Sequence, residues 1–354
     1  MDFTFSEEQV MMAGVVRDLL ESECPASALR QLMAEGKAHD DHRWGRITEL
    51  GLLGALVSEA AGGLGLGEID LVLVAEHCGY FGLPEPLIDT AGLALPLLAA
   101  LPEGPRAARL LERALAGAAT VALGHPANPF VLGADSAEAI LVPVDGALHL
   151  VDRADARLTA QPSIDPFRRL YRVEAETSAA TQVADSVTAA PLLAAALNRG
   201  ALFAAAQLLG LAQRTNDLAI AYAKERQQFG KPIGSYQALK HHMATVQVKI
   251  EFARPVVHAA AAMATRGGLH ADARISHAKL AATEAADLSA RTAVQAHGAM
   301  GYSWEVDVHV FLKRGLALAN SWGTPHFHRE RVAARVFGAP IGPDQTFTQG
   351  NTNG

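Results

Sequence analysis

The sequence predicts a mostly α-helical fold with a small β region, and three observations carry this prediction. Residues 6–118 are rich in Leu, Ala and Glu at helical spacing, whereas residues 120–188 consist of short runs typical of strands. From residue 191 onward, long helical periods return. We therefore predict an N-terminal helical domain (1–118), a short middle β domain (119–190), a C-terminal four-helix bundle (191–340) and a tail (341–354).

The N-terminal domain should contain several helices. Ser6 and Gln9 form the Ser-x-x-Gln pattern of a capping box, which predicts a helix start at this point. Helix-breaking residues then follow at Gly62-Gly63, at Gly82-Leu83-Pro84 and at 102–105. These breaks divide the domain into successive helices.

One β-hairpin is predicted within the middle domain. The apolar runs Ala139–Val144 and Ala147–Val151 flank the dipeptide Asp145-Gly146. Because Asp and Gly accept the positive φ angles of a two-residue turn, the two runs should pair as antiparallel strands.

The C-terminal bundle is predicted from apolar residues that recur at helical spacing along 202–219 and 239–257. Pro255 should kink the second of these helices, and Gly267-Gly268 should end it. The two remaining helices are predicted at about Asp272–Ala296 and about Val306–Asn320.

The composition and charge of the chain argue against several classes of function. The net charge of −7 and the scattered basic residues argue against nucleic-acid binding. The acidic N-terminus lacks the pattern of a secretory signal, and the longest apolar runs, such as Ala91–Leu101, are too short for a bilayer span. Two cysteines, Cys24 and Cys78, suit packing in a reducing cytoplasm, so we expect a cytoplasmic protein without membrane segments.

Two strings of residues in the C-terminal region carry the functional signal. Glu225–Ile233 reads Glu-Arg-Gln-Gln-Phe-Gly-Lys-Pro-Ile, and Gln295–Tyr302 reads Gln-Ala-His-Gly-Ala-Met-Gly-Tyr. Taken singly, Arg226 would be an ordinary solvated arginine and Gly298 an ordinary helix-ending glycine. Together the strings resemble the C-terminal half of acyl-CoA dehydrogenases, and the resemblance extends over nearly the whole chain.

The resemblance implies FAD as cofactor and α,β-dehydrogenation of an acyl-CoA thioester as reaction. In this family an arginine and a Gln-x-x-Gly turn from one subunit reach a FAD that is bound mainly by its neighbour. A guanidinium suits the diphosphate because it binds phosphate oxygens in bidentate fashion. The residues that the resemblance assigns to FAD are Arg226, Phe229, Gln237, Gln295 and Gly298.

The chain departs from the family at the catalytic base. Abstraction of a proton from carbon requires a carboxylate, yet the family's usual base position falls on Trp322. The alternative position used by some members falls near Gly200, again without a carboxylate. The base is therefore unknown, and Glu330, which follows soon after Trp322, is the substitute that we single out for testing.

The middle domain also differs from that of the family. It is shorter than in the family and lacks the Thr-Glu-Pro-x-x-Gly-Ser-Asp-like and Trp-Ile-Thr-Asn-like strands that line the flavin ring. Gly124–Pro129 stands in the place of the first. The half of the site that a subunit builds for its own flavin is thus lost, whereas the half that it lends to a neighbour is retained. Trp322 would plug its own vacant cleft, or simply pack in the bundle.

This asymmetry suggests the short subunit of an α2β2 acyl-CoA dehydrogenase of the steroid type, with a second acyl-CoA dehydrogenase-like chain as partner. The acyl group and the electron acceptor stay open. Two alternatives remain: a self-sufficient homo-oligomer with an unusual base such as Glu330, or a non-enzymatic acyl-CoA-binding or scaffold protein. His241-His242 and His326-x-His328 have no accompanying ligand set, so we predict helix-end or surface histidines and no metal site.

Overall fold

The structure, a computed structural model, describes residues 4–102 and 104–338. The helices of the N-terminal domain are α1 (Glu7–Glu23), α2 (Ala26–Ala34), α3 (Asp41–Glu49), α4 (Glu68–Phe81), α5 (Leu95–Ala99) and α6 (Pro105–Leu115). The strands of the middle domain are β1 (Val121–Leu123), β2 (Val131–Leu132), β3 (Ala139–Val144), β4 (Ala147–Asp152), β5 (Ala156–Gln161), β6 (Leu170–Ala175) and β7 (Gln182–Ala184). The C-terminal elements are α7 (Ser186–Glu225), β8 (Gln227–Gln228), β9 (Lys231–Pro232), α8 (Gln237–Met263), α9 (Gly268–His297), α10 (Val308–Asn320) and α11 (Pro325–Gly338).

The predicted start of α1 is confirmed. The Ser6 hydroxyl accepts a hydrogen bond from the Gln9 amide at 3.2 Å, and the Gln9 side chain accepts one from the Ser6 amide at 2.9 Å. Further along, a π-helical segment at Ile88–Ala94 leads directly into α5. This segment was not predicted, because its apolar residues suit any buried helix.

The middle domain consists of two small sheets. One has the strand order β1-β3-β4-β7, and the other the order β2-β6-β5. The hairpin β3–β4 is confirmed, with Ala139 opposite Asp152 and Val144 opposite Ala147. Its turn residues Asp145 and Gly146 have φ angles of 50° and 83°, as a two-residue turn requires.

Helix α7 is the centre of the bundle and packs against α4, α8, α9 and α10. Its 40 residues include a stretch apolar and long enough to cross a membrane, although 61% of that stretch is buried inside the protein. Polar residues such as Asn198 and Gln207 interrupt this run, so its length was not predicted from the sequence. Gly210 permits close contact with α4, since a Cβ at this position would lie 1.8 Å from the carbonyl oxygen of Glu76.

The bundle helices differ in detail from their predicted extents. Helix α8 runs through Pro255 and ends before Gly267, whose φ of 63° favours glycine. Helix α9 begins at Gly268 and α10 at Val308, within a few residues of the predicted starts. Helix α11 was not predicted, because it has no apolar stripe and buries only His328 among its residues.

The predicted domain boundaries remain predictions. The boundary at 190/191 falls within α7, and the predicted tail (341–354) lies outside the described residues. Two ion pairs are buried: Arg43 binds Glu85 at 2.7 Å within the N-terminal domain, and Arg314 of α10 binds Asp165 of the β5–β6 loop, which connects the bundle with the middle domain. Arg314 also donates to the carbonyl oxygen of Leu83 at 2.8 Å, so this loop is held against the bundle.

Candidate functional site

The first C-terminal string forms a protruding hairpin at the end of α7. Helix α7 ends at Glu225, and the Arg226 amide donates to the Tyr222 carbonyl at 2.9 Å. Strands β8 and β9 then pair across a turn whose residues, Phe229 and Gly230, have φ angles of 52° and 77°. Gln237 is the first residue of α8.

The second string lies beside the first. Gln295 is in the last turn of α9, and Gly298 follows that helix with a φ of 60°. The two strings are joined because the ring of Tyr222 stacks on the ring of His297, with centroids 4.1 Å apart. We call this region the bundle end and define it as residues 222–242 together with 293–302.

The five residues assigned to FAD share one property: each is exposed at the bundle end. They are Arg226, Phe229, Gln237, Gln295 and Gly298. Beneath them, apolar side chains of α7, α8 and α9 form a separate small core that includes Ala223, Met243 and Val294. This small core supports the exposed residues from below.

The bundle end is locally basic within an acidic chain. Residues 224–242 contain four Lys or Arg and one Asp or Glu, a formal charge of +3, whereas the whole chain carries −7. Concentrated positive charge and exposed glycine backbone suit a diphosphate.

Phe229 of the bundle end has an unfavourable exposure and an unfavourable backbone conformation. Its side chain is 91% exposed, and its φ of 52° lies in the left-handed region, where a bulky residue costs about 1 kcal/mol. Asn or Gly would suit the turn better in an isolated chain. An exposed aromatic side chain held at an unfavourable φ is typical of a binding site, so the hairpin is suited to bind a ligand or another chain.

The two positions at which the family resemblance predicts a base lie against each other inside the protein. A Cβ at Gly200 of α7 would be 2.1 Å from Cδ2 of Trp322, so the indole occupies the space that a side chain at 200 would need. Trp322 is only 6% exposed. We call the space around Gly200 and Trp322 the internal cleft.

Trp322 is held in the internal cleft from several sides. Its amide donates to Oδ1 of Asn128 at 2.8 Å, and its ring lies 5.3 Å from that of His125. Both partners belong to Gly124–Pro129, the segment that replaces the family's first flavin-lining strand. Trp322 has a φ of 57°, and these contacts maintain that strained conformation.

His328 of α11 contacts the α10–α11 loop (321–324), which contains Trp322. Its Nε2 lies 3.0 Å from the Trp322 carbonyl oxygen and its Nδ1 lies 3.1 Å from the Ser276 hydroxyl. The neutral ring therefore donates through Nε2 and accepts through Nδ1. Of the predicted alternatives, a helix-end or a surface histidine, His328 is the first: it lies in the first turn of α11 and is fully buried.

The space left in the internal cleft is about 10 Å³, at the lower limit for a single water molecule. An acyl chain cannot enter between Trp322 and Gly200 without displacing the indole. Lys279 holds the α10–α11 loop at its start. Its Nζ donates hydrogen bonds of 2.8–3.0 Å to the carbonyl oxygens of Leu318, Ala319 and Ser321. Burial and the nearby Arg168 lower the pKa of Lys279 to about 7.

Glu330 lies away from the internal cleft. Its side chain is 66% exposed and lies 3.1 Å from Nε2 of His326 on the outer face of α11. The carboxylate that does line the cleft is Asp89, from the π-helical segment. Sequence reasoning missed Asp89, since nothing in the apolar run around it indicates a site. Within residues 4–102 and 104–338, no three His, Cys, Asp or Glu side chains form a metal-binding group.

The buried His328 predicts a pH dependence of stability. Burial, followed by the charge of Lys279, lowers the pKa of His328 from its ordinary 6.5 to about 4. The unfolded chain therefore binds more protons between these values, so we expect the melting temperature to fall by a few degrees as pH drops from 6.5 toward 4. His328→Gln should flatten this dependence, whereas His326→Gln should leave it unchanged. Equal slopes in all three proteins would contradict the assignment.

Comparison with known proteins settles the family. The model of the acyl-CoA dehydrogenase N-terminal domain matches residues 6–117, and that of the C-terminal domain matches residues 191–337. The chain is 32% identical to the acyl-CoA dehydrogenase IpdE2 of Mycobacterium tuberculosis, over 94% of this chain and 99% of that protein. The chain belongs to the acyl-CoA dehydrogenase family. It is thus an FAD-dependent oxidoreductase by family, and FAD is the cofactor with which it works.

Solved structures share the fold of this acyl-CoA dehydrogenase. The ChsE4-ChsE5 complex from Mycobacterium tuberculosis matches with a TM-score of 0.82 at 24% identity, over 96% of this chain and 100% of that chain. The Tcur3481-Tcur3483 steroid acyl-CoA dehydrogenase matches with a TM-score of 0.79 at 24% identity, over 93% and 98%. The predicted mostly α fold with a small β region is confirmed.

Proposed function

We propose that this acyl-CoA dehydrogenase chain completes the FAD site of a different, catalytically competent subunit, and that the partner supplies the base. The observation that carries the proposal is an asymmetry within the chain. The bundle end is exposed and basic, whereas Trp322 fills the internal cleft opposite Gly200. A chain with these two features is suited to lend contacts to a neighbour's cofactor.

The residues of the bundle end fit the lent half of a FAD site. Arg226 would bind the diphosphate, and the open backbone at Gly298 would let the nucleotide approach closely. Phe229, Gln237 and Gln295 would contact the remainder. When bound, FAD accepts the hydride in the family's reaction, while these residues only hold and orient it.

The residues of the internal cleft do not fit the other half. Trp322 cannot accept a proton from carbon, and its indole leaves about 10 Å³ beside Gly200. The Oδ1 atom of Asn128 already accepts from the Trp322 amide, so this part of Gly124–Pro129 is engaged in closing the cleft. We therefore propose that the chain does not bind a flavin of its own.

Two-chain relatives support a heteromeric partner. The ChsE4-ChsE5 and Tcur3481-Tcur3483 proteins are each named by two chains, and the second is called a steroid acyl-CoA dehydrogenase. We propose an α2β2 assembly of this chain with a second acyl-CoA dehydrogenase-like subunit, acting on an acyl-CoA of steroid type. A cytoplasmic location is proposed as well, supported by the free thiols Cys24 and Cys78.

Co-expression tests the proposal. We expect the chain purified alone to be colourless and to lack dehydrogenase activity. With its partner it should form a yellow complex that shows the absorbance of bound FAD and oxidises acyl-CoA. A stoichiometric flavin spectrum together with activity in the isolated chain would overturn the proposal and favour a self-sufficient homo-oligomer.

The self-sufficient alternative also predicts a role for Glu330. Because this side chain is exposed and paired with His326, we expect Glu330→Gln to leave the activity of the complex within about twofold of wild type. Steady-state kinetics with FAD content measured in parallel check this expectation. Lost activity with FAD retained would identify Glu330 as the base after all.

A further inference from the structure

A second, larger cavity lies on the β side of Trp322, between the middle domain and the end of α10. We call it the β-side cavity. Its volume is about 360 Å³, within the range of pockets that hold small organic ligands. Its walls combine polar side chains with apolar ones, and the apolar ones include Val121, Phe130, Leu132, Ile164 and Leu316.

Arg168 brings a positive charge to the β-side cavity. It lies on the β5–β6 loop and is only partly exposed. Within the part of the chain that the structure describes, its side chain forms one hydrogen bond, from Nη2 to the Ser321 hydroxyl at 3.3 Å, so most of its five N–H donors have no acceptor there. Among the described carboxylates, none forms an ion pair with Arg168.

Two arginines that are almost fully buried, Arg43 and Arg314, are neutralised by the protein. Arg43 forms two hydrogen bonds of 2.7 Å with Glu85, and Arg314 binds Asp165 directly. The acid nearest in sequence to Arg168 is thus already used by Arg314. A guanidinium left without a bound anion in a partly dry cavity is costly, and a bound ligand could supply the missing charge.

The π-helical segment Ile88–Ala94 also contributes to the wall of the β-side cavity. Asp89, Thr90 and Leu93 of this segment line the β-side cavity. Such segments are less favourable than α-helix and occur frequently at functional sites. The Asp89 carboxylate raises the pKa of Arg168 through its charge, against a larger lowering by burial. Asp89 would therefore compete with an incoming anion for Arg168.

We propose that the β-side cavity binds an organic monocarboxylate with an apolar body, whose carboxylate pairs with Arg168. A single guanidinium matches one negative charge and can bind both carboxylate oxygens. The apolar walls take the hydrocarbon part, and Asp89 disfavours a dianion such as phosphate. This site belongs to the chain itself and does not depend on whether the bundle end holds a partner's FAD.

Calorimetric titration of the purified full-length chain with octanoate tests the site. We expect saturable binding of one octanoate per chain, weakened about tenfold or more in Arg168→Met because a charge-assisted hydrogen bond is lost. Arg157→Met is the matched control: its side chain lies on β5, is 83% exposed, and should not matter. Octan-1-ol should bind at least tenfold more weakly than octanoate.

A gain of affinity separates binding from misfolding. Asp89→Asn removes the competing carboxylate and should strengthen octanoate binding severalfold, which a damaged fold cannot do. The proposal is overturned if octanoate does not bind, if Arg168→Met binds it as tightly as wild type, or if Asp89→Asn binds it no better. Tighter binding of octyl phosphate than of octanoate would reject the carboxylate assignment.

Discussion

Arg226→Ala should remove most of the FAD from the complex of this chain with its partner subunit. Arg226 is exposed beside the β8–β9 hairpin, in the segment 224–242 with a net charge of +3. Loss of a charge-assisted phosphate contact costs about 1.5–3 kcal/mol, which weakens FAD binding roughly 10- to 150-fold. Flavin absorbance per heteromer, measured after gel filtration without added FAD, gives the result.

The control for this variant is Arg17→Ala. Arg17 is also an exposed arginine, on α1, where it pairs with Asp18 at 2.8 Å. We expect this complex to keep its FAD. If the Arg226→Ala complex retains FAD as well, the bundle end does not hold the cofactor, and the non-enzymatic scaffold reading gains support.

Trp322→Ala should be the most destabilising of the substitutions considered. Trp322 is 6% exposed and fills the internal cleft beside Gly200 and His125. Truncation of a buried tryptophan to alanine costs about 3–5 kcal/mol, because packing is lost and a cavity remains. Urea denaturation of the isolated chain measures this loss. The control Trp304→Ala, at a residue 69% exposed, should cost less than about 1 kcal/mol.

A substitution at Gly200 tests the contact between Gly200 and Trp322 a second time. Gly200→Ala introduces a Cβ only 2.1 Å from the indole, so Trp322 must move. We expect a loss of stability and an increase in Trp322 solvent exposure, seen as a red shift of tryptophan fluorescence. Unchanged stability in both Trp322→Ala and Gly200→Ala would mean that the cleft is open in solution.

Features set by neighbouring residues could be predicted from the sequence. The α1 cap depends on Ser6 and Gln9 alone, and the β3–β4 hairpin depends on Asp145-Gly146 between two apolar runs. Four of the five proposed FAD residues stand in two short strings with a specific spacing, and Gln237 follows shortly after the first string. Because each feature is local, the order of the residues carries the information.

Features set by distant residues could not be predicted in the same way. The contact of Gly200 with Trp322, and that of Trp322 with Asn128, join segments far apart in the chain. The sequence identified a missing carboxylate at 322, but only the packing explains why glycine stands at 200. The surroundings of His328, Asp89 and Arg168 were not predicted, because they come from other elements.

The ratio of FAD to protein in the purified complex tests the central claim most directly. If this chain lends a half-site and fills its own cleft with Trp322, the complex should hold one FAD for each pair of unlike chains, and the chain alone should hold none. One FAD for every chain would contradict the account.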